Sequence, residues 1–249
     1  RLYHQGRFEI APVVTFTQLD EFNRSIHVGA RQNYGVTDRL QIGVWGAFGA
    51  VNITTGLTDQ IDANAPSNNA TQSNVPPGKV FSQQVAKISF AVMGQVTATP
   101  FRGKMAIFQS LFADVDAYVF AGGGIVGTQE REFCSDTALN ESTPPPCSDP
   151  KTHNLASQSH LAPTWGLGFN FFINNFMSLG LEYRFIPFAW NRPGFDSAGS
   201  DGSVGKVDPN ATGKYPDGNV DSKDQSYRFN QMISLSLGFS FPTKPKITD

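Results

Sequence analysis

From residue 227 to residue 241 large apolar side chains recur at every second position. Phe229, Ile233, Leu235, Leu237, Phe239 and Phe241 fall on one parity, and Arg228, Asn230, Ser234, Ser236, Gly238 and Ser240 on the other. A period of two is the signature of a β-strand with one apolar face. It recurs over residues 7–19, 25–36, 40–51, 83–99, 160–172 and 177–190. Residues 115–127 are apolar on both parities and glycine-rich, so they read as a strand whose facing is open. This makes eight strands and no helical period.

The alternate faces show which solvent the sheet meets. The polar parity is mostly Gly, Ser, Thr, Asn and Ala, not the Lys and Glu that cover soluble sheets, and only 16% of residues are charged, against the roughly 25% usual for soluble domains. The other parity is large and aromatic, with 21 Phe in the 249-residue chain. A soluble lipocalin-like barrel or sandwich would also alternate, with its apolar face inward. These two observations count against it, and favour an apolar face turned to lipid around a narrow lumen. No stretch of 18 apolar residues is present to make a transmembrane helix. A net charge of −2 excludes a basic nucleic-acid binder.

Connections alternate in length. Long polar segments at residues 52–82, 128–159 and 191–226 all fall on connections of the same parity, whereas residues 37–39 and 173–175 are tight turns and residues 100–114 a shorter link. An antiparallel up-and-down transmembrane β-barrel puts such long loops at one end and the turns at the other. The expected fold is therefore all-β, an eight-stranded barrel forming one domain over residues 1–249, with a short tail at 242–249.

Arg1-Leu2-Tyr3-His4-Gln5 carries no basic and apolar leader, so the chain reads either as never exported or as mature protein after signal removal, and its two cysteines favour the second. Cys134 and Cys147 enclose a polar, proline-rich segment and are expected to form a disulfide in an oxidising compartment.

Glu9, His27, Arg31, Lys87, Glu182, Arg184 and Arg228 all lie on the small-residue parity. Charges inside a barrel are costly unless paired, so these residues are expected to form a polar network that plugs the lumen and fixes strand register, rather than an ion path. Trp45, Val13, Met93 and Met232 are the large apolar residues expected in the lumen. Asp217, Asn219, Asp221 and Asp224 space oxygen atoms somewhat as calcium loops do. Ser222 and Arg228 replace the glycine and the glutamate such a loop needs, so calcium is a weak reading and no other cofactor is implied. His153 and His160 border the second long loop without a Gly-x-Ser-x-Gly elbow, and no catalytic residues are assigned.

The segment Tyr227-Arg228-Phe229 to Ser240-Phe241 resembles the terminal β-signal by which outer-membrane barrels are recognised for insertion, here followed by eight further residues. Gly6-Arg7-Phe8-Glu9-Ile10-Ala11-Pro12 and Pro100-Phe101-Arg102-Gly103-Lys104 resemble the outer-membrane β-barrel domain family of the myxobacterial type, similar in size to small OmpA/OmpW-type barrels. The resemblance implies a bacterial outer-membrane location, with periplasmic termini, extracellular long loops and, in some members, trans-envelope machines as partners. The expected role is a non-enzymatic structural or protein-binding subunit of an envelope or surface assembly. The alternatives are a narrow channel for small or apolar solutes and, more remotely, an outer-membrane enzyme.

Overall fold

The computed structural model describes residues 4–18, 20–64, 81–107, 111–135, 155–198 and 219–243. Eight strands form the barrel: β1 (Phe8–Gln18), β2 (Asn23–Gly35), β3 (Leu40–Thr54), β4 (Lys87–Ile107), β5 (Leu111–Arg131), β7 (Leu155–Phe172), β8 (Met177–Trp190) and β10 (Ser226–Phe241). Each pairs antiparallel with the next in sequence, and β1 closes on β10. A two-stranded sheet of β6 (Cys134–Ser135) and β9 (Asn219–Val220) stands at the loop end, with helices α1 (Gly56–Asn64) and α2 (Phe81–Gln84) in the first long connection.

The facing follows the alternation. On β1, Glu9, Ala11, Val13, Thr15 and Thr17 are buried while Phe8, Ile10 and Val14 are exposed. On β10, Met232, Ser234, Ser236 and Ser240 are buried and Leu235 is 54% exposed. An exposed apolar surface surrounding a buried polar interior inverts the soluble pattern and defines a transmembrane wall.

Hydrogen-bond register sets the width. Starting at Phe8, the ladder passes through Tyr34, Ile42, Val96, Ala121, Trp165, Phe185 and Gln231 and returns to β1 at Gln18, ten residues further on. Eight strands with this stagger tilt by roughly 40° and enclose a backbone radius of ~8 Å, which inward side chains fill.

The short turns are closed by local chemistry. Thr37 Oγ1 accepts from Arg39 N and Leu40 N, and Asn174 Oδ1 accepts from Phe176 N and Met177 N. Such side-chain acceptors turn the chain without a ladder partner.

Two expectations are corrected here, and one facing left open is resolved. The link at 100–114 is mostly strand, because β4 and β5 remain paired down to Ile107 opposite Leu111. A register shift between Ile88 and Phe90 reverses parity at the start of β4. Ile88 consequently turns into the core at 4% exposure, and Lys87 leaves the lumen face. The facing of β5, open from sequence, resolves with Asp116, Tyr118, Phe120 and Val126 buried.

Candidate functional site: a sealed lumen

Four of the expected charges meet near the turn end of the lumen. Arg31 on β2 reaches Glu9 on β1 at 3.0 Å and Glu182 on β8 at 3.1 Å. Arg184, two residues beyond Glu182, binds its other oxygen at 2.7 Å. Neutral groups complete the layer. Tyr118 from β5 accepts from Arg31 and donates to Glu182 Oε2 at 3.1 Å, and Asn170 from β7 accepts from Arg31 at 3.3 Å. Arg184 donates to Gln95 of β4 at 2.7 Å and Thr164 of β7 at 3.1 Å. Its guanidinium stacks between Trp45 of β3 and Phe120 of β5, 4.3 and 4.2 Å from the ring centroids. Two cations, two carboxylates and their donors thus tie seven of the eight strands at zero net charge, with every member side chain buried.

Above this layer a buried apolar cluster shares the lumen with Thr15, Ser234 and His27. Val13, Trp45, Met93 and Met232 pack with Ile88, Val126, Ile186, Phe188 and Trp190 in one buried cluster, so the four lumen apolar residues read from sequence belong to a continuous core.

Side-chain clusters stand at both mouths. At the turn end His4 is buried, with its imidazole 2.8 Å from Asp116 Oδ2, and Arg102 lies 3.6 Å from the same carboxylate. At the loop end Glu130 takes His160 at 2.5 Å and Thr128 at 2.6 Å on one oxygen, and Asn191 N at 2.9 Å on the other. Phe81 of α2 stacks on Phe195 and meets Phe22 edge-on. Gly194, at φ +71°, lets the chain turn over α2 and offers its carbonyl to Arg131. Asp20 sits in this cap near Arg192, where burial pushes its carboxyl above the ordinary aspartate range against the pull of that cation.

The other expected members lie elsewhere. His27 is buried and its Nε2 donates to Ile88 O, with no charged partner among the described residues. Lys87 is half-buried beyond the register shift and joins no ion pair among the described residues. Arg228 has the lumen parity but stands above Gln231, where β1 stops pairing with β10, and is exposed beside Ser226.

Asp221 and Asp224 act as caps. Asp221 accepts from Lys223 N, and Asp224 accepts from Ser197 N, Ala198 N and Asp221 N. Burial raises the Asp224 carboxyl despite these bonds. Asn219 pairs with Ser135 across β6 and β9, and Asp217 lies outside the described residues. Cys134 is buried on β6; Cys147 and His153 lie outside the described residues.

Sequence reasoning missed Tyr118, Phe120, Asp116 and Glu130. The alternation Asp116-x-Tyr118-x-Phe120 carried a usable signal, since the aspartate marks the lumen parity of that run.

Fold and interior together define a small transmembrane β-barrel with a filled lumen. Solved structures of this architecture resemble it. The N-terminal β-barrel domain of Pseudomonas aeruginosa OprF is 9% identical, with a TM-score of 0.44 and coverage of 95% of this chain and 98% of that one. Ail, the attachment invasion locus protein of Yersinia pestis, is 8% identical, with a TM-score of 0.35 and coverage of 95% and 99%. OprG from Pseudomonas aeruginosa is 9% identical, with a TM-score of 0.32 and coverage of 96% and 98%. These likenesses concern architecture alone. No protein-family model and no curated protein matches the chain.

Proposed function

We propose that this chain is a barrel of a bacterial outer membrane that neither conducts nor catalyses, and that it holds its long loops in position to bind other envelope or surface proteins. The observation carrying this reading is the interior, where the layer of Glu9, Arg31, Glu182 and Arg184 is followed by a buried apolar cluster. An eight-stranded wall leaves little room, and what room there is holds side chains engaged with one another. Binding is thereby left to the outer surfaces, foremost the loop end, where connections are longest. The proposal includes periplasmic turns and termini, extracellular loops and a Cys134–Cys147 disulfide. Membership of the myxobacterial-type family rests on the segments at residues 6–12 and 100–104.

The test pairs two measurements on the purified protein. In planar bilayers it should be electrically silent. Trimming residues 66–76 or 197–214 should leave the barrel folded and weaken co-purification with envelope proteins from native membranes. A steady conductance that survives trimming and changes on neutralising Arg31 would overturn the reading in favour of a narrow channel.

A further inference from the structure

β4 and β5 run on together beyond the rest of the turn end. The last β4 residue paired with β3 is Ala98, opposite Leu40, and β5 leaves β7 at Asp114, opposite Phe172. Past these points, among the described residues, the two strands are paired in the ladder with each other alone as far as Ile107 and Leu111. A register shift between Ala98 and Phe101 resets the parity of the extension. Phe101 and Gly103 now line up with Ala117 and Val115, while Arg102 and Lys104 lie opposite Asp116 and Asp114. One face is therefore apolar and the other charged.

Phe101 is 73% exposed and Met105 48%. Between them a recess of about 230 Å³ opens over Gly103, walled also by Val115, Ala117 and Phe169. Nothing lies within 4 Å of where a Gly103 side chain would start.

Two physical constraints place this hairpin. Beyond Thr99, whose N–H bonds to Arg39 O, the β4 edge has no neighbouring strand among the described residues. A sheet edge with unpaired backbone groups does not sit in hydrocarbon. Bulk water, conversely, is a poor solvent for the Phe101–Met105 face. The headgroup zone satisfies both, offering water and phosphate to the edge and acyl chain to the face.

We propose that the outer face of this hairpin is a lipid-docking surface in the headgroup zone of the turn-end leaflet. The recess over Gly103 takes the first methylenes of a phospholipid acyl chain. Lipid is the occupant because the recess continues the lipid-facing wall without a break. Ala117 and Phe169, which form its inner wall, are a cross-strand pair of the barrel itself. The inference rests on the membrane-spanning wall and is independent of the loop-binding role.

Tryptophan fluorescence tests it. Trp45 and Trp190 are enclosed in the lumen, whereas Trp165 faces outward. The full chain carrying Trp165→Phe and Gly103→Trp is reconstituted in phosphatidylcholine vesicles with acyl-brominated chains, with strand content checked by circular dichroism. Expected is a loss of emission comparable to that of Trp165 in the otherwise native protein. Met105→Trp in the same background serves as a second reporter should the first variant fold poorly, and should behave alike. Emission insensitive to brominated lipid but quenched by a soluble quencher would overturn the proposal and return the hairpin to water. Emission insensitive to both, with an intermolecular crosslink through the hairpin, would overturn it in favour of a protein occupant.

Discussion

Glu182 is the carboxylate that both lumen cations share. Its two oxygens serve Arg31, Arg184 and Tyr118, so removing it leaves two buried guanidinium groups short of a counter-charge. Glu182→Ala is expected to destabilise the barrel by about 3–5 kcal/mol, the range for breaking a buried ion pair, measured by urea unfolding in detergent. Glu9→Gln should cost less, because Arg31 keeps Glu182, Asn170 and Tyr118 as acceptors. Equal losses for the two would show that Glu182 is not the shared centre. Small residues make the space for this arrangement: Gly180 leaves room that Ser236 Oγ and Asn170 Oδ1 occupy.

A strand, as an element, separates two solvents by one residue of pleat. On β10, Leu235 is 54% exposed to the surroundings while its neighbour Ser236 is 8% exposed in the lumen. Leu235→Arg should cost roughly 2–4 kcal/mol if it falls near the bilayer midplane, seen as a lower folded fraction in vesicles. Ser236→Ala should be close to neutral, and equal tolerance of both changes would refute the facing. The loop-end sheet is a second element with its own prediction. There Cys134 pairs with Val220, bringing the second long connection against the third. Thiol alkylation of protein purified without reductant is expected to leave Cys134 and Cys147 unmodified. A loop of that length stabilises by at most about 3 kcal/mol in the chain-entropy model, so reduction should loosen the loop and leave the barrel folded.

Across the whole molecule the lumen holds the His4–Asp116 contact at one mouth, then the ionic layer, the apolar cluster and the Glu130 cluster at the other mouth. Under the proposed function these layers act in series, and no single substitution is expected to open a pore. Arg184→Met removes the guanidinium stacked on Trp45 and Phe120, yet single-channel recordings should remain silent because Trp45, Met93 and Met232 still fill the section. Conductance in Arg184→Met alone would mean that the ionic layer is the only barrier. Register determines this outcome. A stagger of ten residues around eight strands brings side chains from opposite walls within reach of each other, which is how Arg31 of β2 meets Glu182 of β8.

Read alone, the sequence determined which side chains of most strands face lipid and which face inward, because facing is set by the pleat within each strand. Strand number, the tight turns at Thr37 and Asn174 and the inward placement of Glu9, Arg31, Glu182 and Arg184 followed from that local rule. Height along the barrel is a different quantity. It depends on hydrogen-bond register between strands distant in sequence, and no periodicity encodes it. Arg228 thus shares parity with Ser234 yet stands in solvent, since β10 outruns β1 beyond Gln231. Lys87 and Ile88 exchange faces because a register shift against β5 alters the count. The β4–β5 extension likewise exists only because each strand continues after its other neighbour has turned back. Tertiary pairing alone decided those positions, because only the closed ladder relates one strand's numbering to the next.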